Sequence, residues 1–445
     1  MQRRNRPDSL LLFLIFSLVL LIIIFPVDTI LPKASTVNIE TKLDISKNID
    51  LPNQGQLKAA HVDLLNPNLQ LEISINGGED FNTVKSDSFN LLEIENPKIT
   101  YRNTSIRWRQ PKGEFPYLNS FVLRLRDKTK NSVSVNTTFT CFDSITTKIP
   151  IISININESA LFGWNNGLMI YGRDANYDFG FNKEWWYRSA NFKRRGAESK
   201  AIVEFQYFEE GKLLISRTSE FKISGNATRY FPQKSFRLKP FDKQNDKFDY
   251  PFWGKLGNKK SKSIVLRNSG NDNTRTMFAD ILMHRLAVGG EILTQQGKPT
   301  MVFFNGNYWG IYNIRERIDS YFIAKHIGSK SKDITILETG NALLKDGSQK
   351  EKERFDLFIE KLKTNSSSDN VTLIRDNINI ENFYEYIFYE TFYANNDWPV
   401  NNCILFSSDG GKWNWILNDL DYSLAYPGED NVRKNWFMKS LLMIL

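Results

Sequence analysis

ANNDWPVNNCILFSSDGGKWNWILNDLDY, residues 394–422, is the stretch on which the fold assignment turns. A helix ends near Ala394. A loop of acid and amide residues follows: Asn395, Asn396, Asp397, Trp398, Pro399, Val400, Asn401 and Asn402. A strand from Cys403 to Phe406 and another from Trp413 to Leu417 flank the turn Asp409-Gly410-Gly411. Two apolar runs around an Asp-Gly turn make a hairpin. Asp419 and Asp421 stand just past its second strand.

This order of elements is that of a protein-kinase active site. There a helix leads into a loop with an Asp and, five residues on, an Asn; a hairpin and a metal-binding Asp come next. Asp397 and Asn402 have that spacing. The Asp accepts the proton of an attacking hydroxyl, the Asn amide oxygen is a hard neutral ligand for magnesium, and the second Asp joins metal to phosphate oxygens. Asp and Asn are also common turn residues. Singly, each is about three times more often a plain turn residue; with the hairpin and the paired aspartates added, a phosphoryl-transfer site and an ordinary set of turns weigh about equally.

Outward from this stretch, helical periodicity predicts three helices. One carries Phe278, Ile281, Leu282 and Leu286 behind a cap at Asn273 or Thr274; the second carries Phe355, Phe358, Ile359 and Leu362; the third carries Ile380, Phe383 and Ile387 behind Asn379. Asn365 to Asp369 reads as a polar link. Thr300–Phe304 and Trp309–Ile314 flank Asn305-Gly306, a strong hairpin signal. Upstream the period is two: Leu69 to Ile75, Phe121 to Leu125, Val133 and Val135, Val203 to Tyr207, Leu213 to Ile215. Short strands with frequent turns predict one or two β-sandwich modules between residues 67 and 225.

The composition is that of a globular chain of 445 residues: 41% hydrophobic, 13% aromatic, net charge +8. The basic residues form no dense stripe, which argues against nucleic-acid binding. His61, His284 and His326 lack ligand spacing, which argues against zinc. Cys141 and Cys403 read as two free thiols rather than a disulfide. Arg3, Arg4 and Arg6 precede an apolar run from Leu10 to Phe25. That pattern fits a signal peptide or a membrane anchor. With no small-residue cleavage site after Val27, the expectation is a retained single-pass anchor with the bulk of the chain extracytoplasmic, secretion after cleavage being the alternative. Residues 1–31 are then arginines and anchor, and 32–66 a linker.

KSFRL (234–238), LRNSGNDNTRTMFAD (266–280), FFNGNYWGIYNIRERID (303–319), NNDWPVNN (395–402) and WILNDLD (415–421) together resemble the spore-coat-protein-H, or CotH, kinase family. ISININESALFGWNNGLMIYGRD (152–174) is similar to a β module that precedes this domain in large surface-associated members, and Ile99 to Trp108 faintly resembles a chitobiase C-terminal-like module. The resemblance implies an α+β fold: an atypical protein-kinase-like domain over 226–445, preceded by the β-sandwich-type modules of 67–225. It implies ATP and Mg2+ as ligands and phosphorylation of Ser/Thr hydroxyls on a protein, or of the chain itself. By motif, Asp397 is the catalytic base, Asn402 a metal ligand, and Asp419 or Asp421 the metal-binding acid; Asn401 supports the loop. Lys234, with Lys239 as rival, is the candidate phosphate-binding lysine. Arg275, among Arg267, Asn268 and Asp272 at a helix start, and Glu316 are candidate nucleotide contacts. The family continues past the point, about two dozen residues after Asp421, where this chain stops within WFMKSLLMIL, so a truncated kinase domain is expected.

The competing reading is a non-catalytic surface protein whose β modules bind glycan or protein while the kinase-like domain is a scaffold. The complete set Asp397, Asn402, Asp419 and Asp421 favours the enzyme, because a scaffold is free to lose it. A metal-dependent hydrolase built on Asp419 and Asp421 lacks the histidines such sites recruit.

Overall fold

The computed structural model describes residues 45, 49–58, 60–86, 88–94, 96, 118–130, 132–143, 145, 147–175, 188–338, 342–364, 367–395, 397–398 and 401–423. Strands β1 (Leu69–Ser74), β2 (Asn119–Asp127) and β3 (Thr137–Phe142) pair antiparallel in that order. Their alternate residues Leu69, Leu71, Ile73, Phe121, Leu123, Leu125, Phe139 and Cys141 form one buried face. It packs against the small sheet that holds Ile49 and Val62.

Seven further strands close on themselves. They are β4 (Ile151–Asn155), β5 (Ala201–Glu209), β6 (Lys212–Ile223), β7 (Phe236–Pro240), β8 (Ile264–Arg267), β9 (Gly297–Phe304) and β10 (Asn307–Glu316). The order β5-β4-β9-β10-β8-β7-β6 returns to β5 through the β5–β6 pairing; only β4–β9 is parallel. Closure removes every strand edge. Every strand sends alternate residues inward: Ile152 and Ile154, Val203, Phe205 and Tyr207, Phe221 and Ile223, Phe236 and Leu238, Ile264 and Leu266, Val302 and Phe304, Tyr312 and Ile314. The rings meet edge-on, as Phe236 does with Phe304 at 5.4 Å, a favoured aromatic geometry.

A four-stranded sheet follows, in the order β12 (Leu343–Asp346), β11 (Ile334–Glu338), β13 (Ile404–Ser408), β14 (Asn414–Ile416). Of the six α-helices among the described residues, α1 (Glu158–Phe162) precedes β5 and α2 (Ala279–Leu286) precedes β9. Helix α3 (Ser320–Ile327) covers one face of the four-stranded sheet, against Ile334, Ile336, Ile404 and Phe406. Helices α4 (Gln349–Thr364), α5 (Ser367–Asn377) and α6 (Ile380–Phe392) cover the other, where Leu337, Leu405 and Trp413 point. Both cysteines are free.

The α+β expectation, a kinase-like domain behind β-sandwich modules, is corrected. The chain is β-rich, with a closed seven-strand barrel whose strands come from both sides of residue 225. Alternation shows that a strand has one buried face; it does not show whether that face looks at a second sheet or across a barrel. The predicted helices and hairpins form. Helix α2, however, takes no side-chain cap from Asn273 or Thr274; buried Asp272 accepts from the Ala279 N–H at 3.0 Å instead. Most of the predicted polar link starts α5. The single-pass membrane location is also corrected. No helix among the described residues is long and apolar enough to cross a membrane, and the run Leu10–Phe25 lies outside them.

Candidate functional site

The site forms where the outer wall of the barrel meets α2, α6 and the chain after β14. In β8 and β10 the inward residues Leu266 and Ile314 alternate with Arg267 and Arg315, which face outward and are largely covered. Arg315 is ion-paired with Asp280 on the first turn of α2 and donates to Gln295 Oε1 at 2.6 Å. Arg267 joins three acids. Its Nη2 bridges Asp419 and Asp421, reaching Asp421 Oδ2 at 2.6 Å, and its Nε lies 3.6 Å from Asp280. Asp280 Oδ1 also accepts the Leu420 N–H at 2.9 Å, which pins the segment carrying both aspartates to α2.

Asp421 is buried and accepts from both the backbone N–H and the side-chain amide of Asn271, each at 3.1 Å. Its carboxylate presses on Gly270, whose φ is +55°. A Cβ there would lie 1.7 Å from Asp421 Oδ2, so glycine is required for this approach. Burial, then the neighbouring Asp419, push the Asp421 carboxyl up to about 7. Burial acts on Asp419 in the same sense, but the Arg267 charge outweighs it and holds Asp419 below its ordinary value.

The predicted base lies beside this pair. Asp397 accepts from the Asn401 amide at 2.8 Å and the Asn402 amide at 2.9 Å. Burial raises its carboxyl above the ordinary value, the amides oppose the shift, and Asp419 adds to it, which places the two acids within electrostatic reach. Asn418 reaches the Asn402 carbonyl at 3.5 Å, joining the Asp397 loop to the Asp419 segment. Nine non-glycine residues among those described have positive φ. Five of them, Ser269, Met277, Ala394, Asn402 and Asp419, sit in the segments that build this site. Such backbone costs of order 1–3 kcal/mol per residue and concentrates at functional sites. Here Met277 is held through its carbonyl, which accepts from Ser269 Oγ at 2.6 Å and Asn313 Nδ2 at 2.7 Å.

The structure thus gathers Asp397, Asn402, Asp419 and Asp421. The other sequence candidates lie elsewhere. Lys234 is fully buried; its ammonium donates to the carbonyls of Arg229 (2.5 Å) and Phe231 (3.1 Å) and stands 4.0 Å over the Phe192 ring. Burial, then the Arg229 charge, hold it well below its ordinary value. Among the described residues it pairs with none of the four acids and amides. Lys239 is exposed on β7 opposite Glu220. Arg275 is exposed on the turn ahead of α2. Glu316 is buried at one end of the barrel, accepting the N–H groups of Asn258 (2.8 Å) and Gln296 (2.9 Å). Residue reasoning missed Asp280, Asn271, Arg315 and Glu390, and it left Arg267 as one of several helix-start residues. For the two arginines, a charged residue directly after a barrel-interior one near the end of each of two neighbouring strands, Leu266-Arg267 and Ile314-Arg315, was the available signal.

Counting charges, Asp280, Asp419 and Asp421 supply three negative groups against the two positive groups of Arg267 and Arg315. His284 beside them is held near 3 by burial and is neutral. Because Asp421 holds its proton to about pH 7, the charges balance below that pH and one negative charge is left over above it, on hard oxygen donors. That donor set suits magnesium; Asp419, Asp421 and the Asn402 amide oxygen are the groups that would hold it. Among the described residues no three His, Cys, Asp or Glu side chains converge as a metal site; the third candidate donor is an amide.

Compared with known families, residues 221–440 match the family model described as CotH kinase protein. No curated protein matches the chain.

Proposed function

Because residues 221–440 belong to the CotH kinase family, we propose that this chain is an ATP- and magnesium-dependent kinase that phosphorylates Ser/Thr hydroxyls of a protein. The carrying observation is that Asp397 and Asn402 are hydrogen-bonded to each other and joined through Asn418 to the segment of Asp419 and Asp421, whose acids outnumber the neighbouring arginines once Asp421 ionises. Asp397 is oriented by two amides and its carboxyl is raised, both of which suit a base that accepts the proton of an acceptor hydroxyl. When bound, magnesium supplies positive charge to the phosphate oxygens. Arg267 keeps Asp419 ionised and ready for that ion. The buried wall of β8, β10 and α2 holds these groups before any ligand arrives, which lowers the cost of reorganisation.

Transfer of labelled phosphate from ATP to the chain and to an acidic protein tests the reading. Asp397→Ala is expected to keep magnesium-dependent ATP binding, seen as a thermal shift, and to lose roughly 10²-fold or more in rate. Asp419→Ala and Asp421→Ala lose rate, and whichever is the main ligand also loses ATP binding. Equal labelling of wild type and Asp397→Ala overturns the proposal in favour of a scaffold.

A further inference from the structure

Helix α6 ends in a Schellman arrangement. Tyr393 is its C-cap, Ala394 turns left-handed with φ +49°, the Ala394 N–H donates to the Thr391 carbonyl at 3.0 Å, and the Asn395 N–H donates to the Glu390 carbonyl at 3.1 Å. The same two residues meet again through their side chains. Asn395 Nδ2 donates to Glu390 Oε2 at 2.9 Å, and Asn395 Oδ1 accepts the backbone N–H of Asp397 at 3.3 Å. Glu390 and Asn395 are both fully buried. Glu390 Oε1 has no hydrogen-bond partner among the described residues. Removing a carboxyl from water for one hydrogen bond is costly, so packing alone gives no reason for an acid here. What it touches is the residue that holds Asp397.

We propose that Glu390 is a positioning residue for the loop carrying Asp397, acting through Asn395 to fix the direction in which Asp397 leaves the helix end. The proposal rests on the kinase reading for its effect on rate, but not for its effect on the loop. Glu390 works there as a neutral acid: burial pushes it up to about 8, the Asn395 amide opposes this, and Asp419 adds to it. Gln is therefore its isostere. It keeps an oxygen to accept from Asn395 and replaces the acid O–H with an N–H. Leu fills the space and removes the acceptor.

Two measurements on the full chain test this. In phosphoryl transfer, Glu390→Leu and Asn395→Ala are expected to lower kcat by about 10²-fold with little change in KM for ATP, since small misplacement of a reacting group has that cost. Glu390→Gln stays close to wild type. In amide hydrogen exchange, residues 395–402 exchange faster in Glu390→Leu and in Asn395→Ala, and at the wild-type rate in Glu390→Gln. Should Glu390→Leu fail to fold, Asn395→Ala breaks the same link from its other end. A Gln variant as impaired as the Leu variant overturns the inference, as does unchanged exchange in both Glu390→Leu and Asn395→Ala. A wild type that transfers no phosphate defeats the kinase reading, and the exchange measurement still decides the role of Glu390.

Discussion

Asp419 and Asp421 share one guanidinium and behave oppositely. Arg267 cannot fully compensate both in a buried site, so one acid stays ionised and the other holds its proton to about pH 7. The sign of the consequence follows from proton binding. A carboxyl raised in the folded state binds more protons folded than unfolded across the window from its ordinary value near 4 up to about 7. Stability contributed by Asp421 is therefore full below that window, falls as pH rises through it, and levels off above it, at up to ~1.4 kcal/mol per pH unit. Glu390 has the same sign, with its upper limit at about 8. Asp421→Asn is expected to flatten the slope below pH 7 and leave the Glu390 part. Urea unfolding from pH 5 to 8 in EDTA measures it, and a mutant slope equal to that of wild type refutes the assignment. At this scale the grouping of Asp397, Asn402, Asp419 and Asp421 was legible in the sequence, because their chain order around one hairpin brings them together. Arg267 and Glu390 were not, because their roles depend on what faces a strand and what lies beneath a helix end.

Elements were the most legible scale where period and punctuation agreed. Helix α6 begins where Asn379 caps the Asn382 N–H and ends where Ala394 turns left-handed. Asn305-Gly306 makes the β9–β10 hairpin. Helix α5 was hidden because Ser367-Ser368-Asp369 looks like a linker, and β11 because its alternate residues face two different cores, so Ile-Thr-Ile-Leu shows no clean period. The end of α6 offers a test of its own. Left-handed backbone costs an L-residue about 1–2 kcal/mol, and glycine is the usual occupant of this position. Ala394→Gly should therefore stabilise the chain by about 1 kcal/mol, less what the freer unfolded chain takes back. Chemical denaturation of the two proteins decides it; a clear loss of stability would mean that the Ala394 methyl, buried in the structure, contributes more by packing than its conformation costs.

Closure of the barrel is a property of the whole molecule, and no local pattern announces it. The parallel β4–β9 pairing joins Ile151 to Met301, and β5–β6 shuts the ring at Ala201 and Phe221. These contacts make β4, β5 and β6 part of the same core as β7 to β10. The N-terminal sheet is attached differently. Gly55–Gln56 bridges β3 and β6, and the seam beside it mixes polar contacts, Ser120 lying 2.7 Å from Thr140 and 3.1 Å from Ser153 and Gln206 donating to Gln54 at 2.8 Å, with one apolar patch in which Leu118 and Phe142 pack against Phe208, Met301 and Phe303. Opening that seam exposes this one patch and groups that water can satisfy, whereas opening the barrel exposes its much larger aromatic core, at about 1.5–3 kcal/mol per side chain. Two fragments should therefore behave differently. Residues 147–445 are expected to melt cooperatively. Residues 221–440, the span of the family match, lack β4, β5 and most of β6; the unpaired edges of β7 and β9 and the bared faces of Phe236, Leu238, Val302 and Phe304 should make this fragment aggregate or unfold. Near-ultraviolet circular dichroism and thermal melts distinguish the cases. A cooperative, native-like melt of 221–440 would show that the kinase segment folds without a closed barrel, and that Arg267 and Arg315 do not need its full wall to hold Asp280, Asp419 and Asp421.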